Sequence, residues 1–327
     1  MTSAAGYASD NVLGMQSSLQ PGGPAAAVTA EMTWVLVTGA GVVFGIVMLC
    51  IAAALWHRQR APATGTDHAA RRWIVGAGVV FPLLVLVPLL FYATARTDAL
   101  TPPRQVPGAD ELVITVEARL WWWRVTYRNP SLGRDVITAN QIHLPTGRAV
   151  TLALVSEDVI HSFWVPALAG KVDMMPGKVH HLRLQADRPG IYRGQCAEFC
   201  GEQHARMAIH VVAQSPDEFE RWLRAQAEPA EPPRGADALR GLAVFSERRC
   251  NACHSVLGLG PTAVIGPDLT HVASRLHLGA GTLPFSRDAL ASWIANPQHA
   301  KPGVRMPSYA LDPASLQALV SFLEQLR

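Results

Sequence analysis

Two stretches of the chain carry no charged side chain. Residues 34–56 (WVLVTGAGVVFGIVMLCIAAALW) and 73–95 (WIVGAGVVFPLLVLVPLLFYATA) are each 23 residues long. A helix of that length covers about 30 Å of hydrocarbon with some tilt, so the pattern predicts a transmembrane hairpin over 34–96. Buried core helices of a globular domain are the alternative, and two uncharged runs so close together argue against it. Pro82 and Pro88 are tolerable, because neighbouring helices accommodate kinks in lipid. Trp34, Trp56 and Trp73 stand at the span ends, where amphipathic rings prefer the interface. The connecting loop holds Arg58, Arg60, Arg71 and Arg72 against Asp67, while the segment before the first span has only the acidic Asp10 and Glu31. Positive residues stay in the cytoplasm, so residues 1–33 read as an outer, periplasmic segment and both termini as external. The first 33 residues lack the basic start and separate apolar core of a cleavable signal.

After the spans the period changes. ELVITVEARLWWWRVTY, QIHLPTGRAVTLALVS, KVHHLRLQAD and ARMAIHVVA read as strands, divided by turn residues at Asn129-Pro130, Pro145–Gly147, Pro176-Gly177 and Pro189-Gly190. About 100 such residues predict an all-β Greek-key sandwich or barrel over 108–213. Alternation in the Trp121-Trp122-Trp123 run puts the first and third rings on one face. Residues 214–235 read as an amphipathic helix (PDEFERWLRAQA) followed by a Pro-rich, semi-rigid tether. Residues 236–327 then show helical runs at GLAVFSERR, RDALASWIAN and ASLQALVSFLEQL. The resulting order is a membrane hairpin, an all-β domain and an all-α domain.

Composition narrows this picture. Hydrophobic residues make up 49% of the 327 and charged ones 16%, with a net charge of +3. That apolar excess belongs to the spans, and no basic stripe with interleaved aromatics points to nucleic acid. Of five cysteines, Cys50 lies in the first span and the others form two close pairs, Cys196/Cys200 and Cys250/Cys253.

The neighbours of those pairs carry the chemistry. GQCAEFCGEQHARM places Cys196, Glu198, Cys200, His204 and Met207 within one short string. Soft sulfur with imidazole suits copper, and a second thiolate permits two bridged metal ions. The Glu198 carbonyl lies between the cysteines, and SEDVIHSFWVP supplies His161. A Cys196–Cys200 disulfide, tetrahedral zinc on two Cys and two His, and Met207 as plain core remain open alternatives. Cys250-Asn-Ala-Cys253-His254 is the c-type haem attachment pattern, with His254 as proximal iron ligand. Met306, in VRMP, leads His271, His277 and His299 as the sixth ligand, since Met/His ligation raises the potential.

The string at 196–207 fits C-x-E-x-C-x-x-x-H-x-x-M and, with DVIHSF and the two-span hairpin, resembles cytochrome c oxidase subunit II over residues 25–215. The appended haem pattern is similar to the fused subunit II of caa-type haem–copper oxidases. The resemblance implies a cupredoxin-like domain holding a dinuclear CuA centre on His161, Cys196, Glu198, Cys200, His204 and Met207, and a class I cytochrome c domain. It implies that the Glu198 side chain reaches a magnesium or manganese ion shared with subunit I. It marks Trp121 as the first acceptor of electrons from cytochrome c, with Leu120 in place of the preceding Gln. Subunit I with its haems and CuB, subunit III and a cytochrome c donor would be the partners, in a bacterial inner membrane with both redox domains outside. The family's glutamate at the cytoplasmic start of the second span is replaced, with Ala70 near that position. In this reading the chain is the electron-input subunit and oxygen is reduced elsewhere. An electron-donor subunit of a nitric oxide reductase is the alternative; nitrous oxide reductase would need a further propeller domain, and a copper-delivery protein gives no reason for a covalent haem.

Overall fold

The computed structural model describes residues 16–58, 67–100, 111–128, 133–260 and 263–327. Asp10, Arg60 and the Asn129-Pro130 turn lie outside the described residues. The chain separates into two compact units, Ala27–Val106 and the remainder.

The smaller unit is helical. Helix α1 runs Pro24–Arg58, and a second rod consists of α2 (Asp67–Val75), a π turn (Gly76–Val80) and α3 (Phe81–Leu100). Helix α1 starts ten residues before the apolar run, at Pro24. Pro24 suits the first helical position and the alanines after it are strong helix formers. The π turn sits directly before Pro82, which has no N–H to donate, and the Phe81 N–H reaches back to the Gly76 carbonyl. Glu31 pairs with Arg96 and accepts from the Tyr92 hydroxyl, which ties the two rods at one end. The apolar windows of both rods have no residue buried within the chain. Rods that long with an apolar exterior have lipid as their natural solvent.

The larger unit contains a sandwich of two five-stranded sheets. The first is ordered β3-β2-β1-β5-β8 and the second β4-β10-β9-β6-β7, with β1 at Val113–Arg119, β2 Trp122–Tyr127, β3 Val136–Ala139, β4 Gln141–Pro145, β5 Val150–Ser156, β6 His161–Trp164, β7 Val172–Met174, β8 His180–Leu184, β9 Gly190–Cys196 and β10 Ala208–Gln214. Strands β1 and β5, and β4 and β10, pair in parallel. Alternate positions of β1 and β2 point inward. They bring Ile114, Val116, Ala118, Trp123, Val125 and Tyr127 against Ile142, Leu144, Phe163, Ile209 and Val211. Each large apolar side chain buried this way contributes about 1.5–3 kcal/mol.

One reading changes here. ELVITVEARLWWWRVTY is not one strand: it folds back at Leu120–Trp121, with Arg119 opposite Trp122. No Gly or Asn marks this turn; instead Asp158 Oδ2 accepts the Leu120 N–H at 2.8 Å. Trp121 therefore leaves the strand alternation, while Trp123 is fully buried and meets Phe163 edge-on at 5.8 Å. QIHLPTGRAVTLALVS breaks at the expected Pro145–Gly147 turn into β4 and β5, which belong to different sheets.

Helix α4 (Pro216–Ala227) follows the expected span, closed by a capping box in which the Glu218 N–H donates to Ser215 Oγ and the Ser215 N–H to Glu218 Oε2. Its Phe219 and Leu223 join the sandwich core, and Trp222 stacks on His143 at 3.9 Å. The last part packs α5 (Ala236–Glu247), α6 (Arg287–Ala295), α7 (Pro297–Ala300) and α8 (Pro313–Leu323) around a separate core, with Phe245 edge-on to Phe322 at 5.7 Å. A two-stranded ribbon, β11 (His277–Leu278) and β12 (Leu283–Pro284), adds to the all-α reading. The Pro-rich tether is bonded down: Ala230 N–H donates to Leu257 O at 2.9 Å and Arg234 N–H to Gln325 Oε1 at 2.9 Å.

Candidate functional site

Strand order assembles the first cluster. β6 begins at His161, β9 ends at Cys196 and β10 starts just after Met207, and β9 pairs with both neighbours. The loop between Cys196 and Met207 is clamped at its ends: Cys196 N–H donates to Met207 O and Ala197 N–H to Ser162 O, each at 2.9 Å. Inside it the donors converge. Cys196 Sγ lies 3.7 Å from Cys200 Sγ, 3.7 Å from His161 Nδ1 and 3.2 Å from the Glu198 carbonyl. Cys200 Sγ lies 3.7 Å from His204 Nδ1 and 3.9 Å from Met207 Sδ. Both thiols are free and buried. Each imidazole therefore faces a different sulfur, with the carbonyl on one side and the thioether on the other. A single tetrahedral ion would leave Met207 and the Glu198 carbonyl without purpose, whereas this two-ended set of soft donors fits a pair of copper ions.

Charge is arranged around the cluster. The Cys200 thiol beside it, His161 and the Ser162 and Glu198 amides hold Cys196 well below the ordinary thiol range against the pull of burial. His161 Nε2 bonds Asp158 Oδ1 at 2.8 Å, which turns Nδ1 toward the sulfur. Burial would raise Asp158, yet its hydrogen bonds with His161 and the Val159 and Leu120 amides keep it below the usual carboxylate range. Sequence reading missed Asp158; its signal was an acid three residues before the isolated histidine. Glu198 divides its labour: its carbonyl faces the sulfur, while its carboxylate is exposed and 3.9 Å from Lys171 Nζ. Phe199 beside it is 76% exposed, and Val159 and Ile160 just before His161 are exposed as well; exposed apolar side chains flanking a site are of the kind that marks a protein contact.

Trp121 stands at the inner edge of the cluster. Its Nε1–H donates to the Cys200 carbonyl at 2.9 Å. Gly201 makes the approach possible: its φ is +108°, and a Cβ there would lie 3.1 Å from the indole. The same Trp121 lines the second site.

That second site is a cavity of about 370 Å³. Cys250, Cys253, His254 and Met306 all lie on its wall, together with Phe245, Leu290, Trp293, Leu319 and Leu323. His254 Nδ1 bonds the Pro267 carbonyl at 2.7 Å, leaving Nε2 free, and burial lowers its pKa and keeps it neutral, the form that binds a metal. Gln298 Nε2 braces the opposite loop on the carbonyls of Val304 and Met306, at 2.7 and 3.0 Å. The rival histidines are otherwise placed. His271 bonds carbonyls through both ring nitrogens, at 2.8 and 3.1 Å. His277 reaches the wall but stacks on His210 at 4.3 Å, and His299 is absent from the wall. Buried Arg275 also reaches the cavity, and its Nε–H has no partner among the described residues. An apolar slot with two thiols, a neutral imidazole, a thioether and one unpaired cationic N–H fits a flat macrocycle with acidic edges.

Both parts of the larger unit are similar to known families. Residues 129–214 match the family described as cytochrome c oxidase subunit II, periplasmic domain, and residues 238–327 the family described as cytochrome c. The two domains thereby indicate copper and haem c. Cytochrome c oxidase subunit 2 of Alkalihalophilus pseudofirmus is 36% identical over 252 residues, covering 76% of this chain and 71% of that protein. That of Bacillus subtilis is 29% identical over 266 residues, covering 76% and 73%. The periplasmic domain of subunit II of cytochrome oxidase (CoxB) of Bradyrhizobium japonicum aligns at 29% identity over 37% of this chain and 96% of that one, with a TM-score of 0.34.

Proposed function

The chain belongs to the cytochrome c oxidase subunit 2 family, part of a haem–copper terminal oxidase, and from that premise we propose that it is the electron-input subunit, taking electrons from cytochrome c at its own C-terminal domain and passing them by way of the copper loop to subunit I. The carrying observation is the convergence of His161, Cys196, Cys200, His204, Met207 and the Glu198 carbonyl within contacts of 3.2–3.9 Å. Those residues would hold a dinuclear CuA centre. Cys250 and Cys253 would carry the haem c by thioether bonds, His254 and Met306 would supply its iron ligands, and the Arg275 Nε–H would be available to an acidic group on it. When bound, the two groups supply reversible one-electron storage. The loop clamps, and Asp158 through His161, would limit how far the buried donors move when the charge on the centre changes.

Trp121 belongs to both sites, since it bonds the Cys200 carbonyl and lines the cavity. It would accept electrons from the chain's own cytochrome domain, so the external donor would meet that domain. The exposed Glu198 carboxylate and the exposed Phe199 beside it would meet subunit I, where the carboxylate would share a magnesium or manganese ion; subunit III would complete the assembly. The arginines at 58, 60, 71 and 72 support a cytoplasmic hairpin loop, which would leave both redox domains outside. Membership of the oxidase family favours this reading over a nitric oxide reductase subunit. Optical and EPR spectra of the purified complex test it: a covalent c-type haem and a mixed-valence dinuclear copper signal are expected, with cyanide-sensitive oxygen uptake from reduced cytochrome c. The lack of either spectrum overturns it.

A further inference from the structure

The seam between the sandwich and the cytochrome domain contains a residue that no motif marks. Lys301 lies just after α7 and is 1% exposed. Its ammonium donates to the carbonyls of Trp121 at 2.7 Å, Arg206 at 2.7 Å and Gly279 at 3.0 Å. A neutral amine has two hydrogens and an ammonium three, so this cradle uses every donor of the charged form. Burying an ammonium is costly unless its hydrogen bonds are satisfied, and here all three are.

The three carbonyls come from both sides of the seam. Trp121 precedes β2 and Arg206 precedes Met207, while Gly279 belongs to the ribbon of the cytochrome domain. Other bonds follow the same line: Ala208 N–H to Ala280 O at 3.0 Å, Leu276 N–H to Gln141 Oε1 at 3.0 Å, and the Arg206 guanidinium to Ala300 O. The ribbon turn approaches closely because Gly279, Ala280 and Gly281 are all left-handed, at φ 60°, 58° and 79°. A Cβ on Gly281 would lie 2.7 Å from the Ala208 Cβ. Lys301 is thus bonded to the turn that presents Trp121 and to the residue before Met207, and it shares a loop with Met306.

We infer that Lys301 is a positioning residue: by gathering carbonyls from both domains onto one ammonium, it fixes the separation between the cavity holding Cys250, Cys253 and His254 and the Cys196/Cys200 loop, and so sets the rate of electron transfer between them. Tunnelling falls steeply with distance and with any break in the bonded path, so loosening this seam slows transfer without changing either ligand set. The inference rests on the two-centre reading above.

The test uses the full chain in its assembled oxidase, as Lys301→Met and Lys301→Gln. Methionine keeps the stem and removes every donor; glutamine keeps two N–H groups. Four readouts are taken: the haem and copper spectra, the haem-to-copper rate after flash reduction of the haem, reduction of the copper by a small diffusible ruthenium complex, and hydrogen exchange at the Ala208 amide. In Lys301→Met the transfer slows by about tenfold or more, with a smaller slowing in Lys301→Gln. Ala208 exchanges faster in both, while the spectra and direct copper reduction stay as in the wild type. A wild-type transfer rate and Ala208 protection in a fully loaded variant overturn the inference. If Lys301→Met fails to load haem, Lys301→Gln decides on the same readouts. A wild-type complex lacking either spectrum defeats the two-centre reading itself.

Discussion

The copper loop and the haem cavity are built on opposite plans. Around Cys196 and Cys200 the protein closes by itself: the sandwich core is filled, the loop ends are clamped by backbone bonds, and every donor atom already faces its neighbours at 3.2–3.9 Å. Around His254 the apolar wall of Phe245, Leu290, Trp293 and Leu319 surrounds open space of about 370 Å³. Interiors are normally packed to crystal density, and a haem held by Cys250, Cys253 and His254 would pack against that wall. In one domain the metal would sit at the edge of a finished core; in the other the cofactor would be the core.

The sharpest way to break this contrast is to remove the haem attachment. Cys250→Ser with Cys253→Ser should abolish turnover from cytochrome c and leave α5 and α8 without amide protection in hydrogen exchange, while the copper EPR signal survives; a protected cytochrome domain would show that its core closes unaided. Cys196→Ser should erase the dinuclear copper signal and with it oxidase activity, yet cost the sandwich only about 1 kcal/mol. Loss of exchange protection across β9 and β10 would contradict that. Trp121→Gln should slow copper reduction through the haem about tenfold and keep the copper spectrum; an unchanged rate removes Trp121 from the path.

The smallest effect concerns pH at the seam. Burial, with His277 and Arg193 nearby, lowers His210 to about 3, and burial and Arg193 lower His277 as well. Above the usual histidine pKa of about 6.5 both forms are neutral and nothing changes. As pH falls below it, the separated surfaces take up protons that the docked stack refuses. Docking should weaken by at most about 1.4 kcal/mol per pH unit for each histidine. The Ala208 protection factor, exchange divided into the intrinsic amide rate at each pH, should fall on acidification between pH 7 and 5; a constant protection factor would dismiss the stack as a contributor.

Much of this was legible because it is local. The ligand string from Cys196 to Met207 is contiguous, the haem attachment spans five residues, and α4 announces itself through the amphipathic run PDEFERWLRAQA. What escaped was set by contacts distant in the chain. The Leu120–Trp121 turn carries no turn residue and depends on Asp158, whose carboxylate also orients His161. Strand β9 was overlooked because the glycines in GIYRGQC blur its alternation, although it carries Cys196. The cradle of Lys301 joins positions up to 180 residues apart, and no periodicity records such a meeting. Proline content in the tether predicted a spacer, but not its bonds to Leu257 and Gln325.

Those tether bonds have a kinetic consequence. A donor domain held by Ala230 and Arg234 on one side and by the seam on the other is a resident rather than a visitor. On the proposed path, passage from haem to copper would be a first-order event, independent of protein concentration and largely indifferent to ionic strength. Only the arrival of the external donor remains a bimolecular encounter that salt can slow. Raising salt should therefore separate the two steps in time within a single complex, dividing what is diffusive in respiration from what is built in.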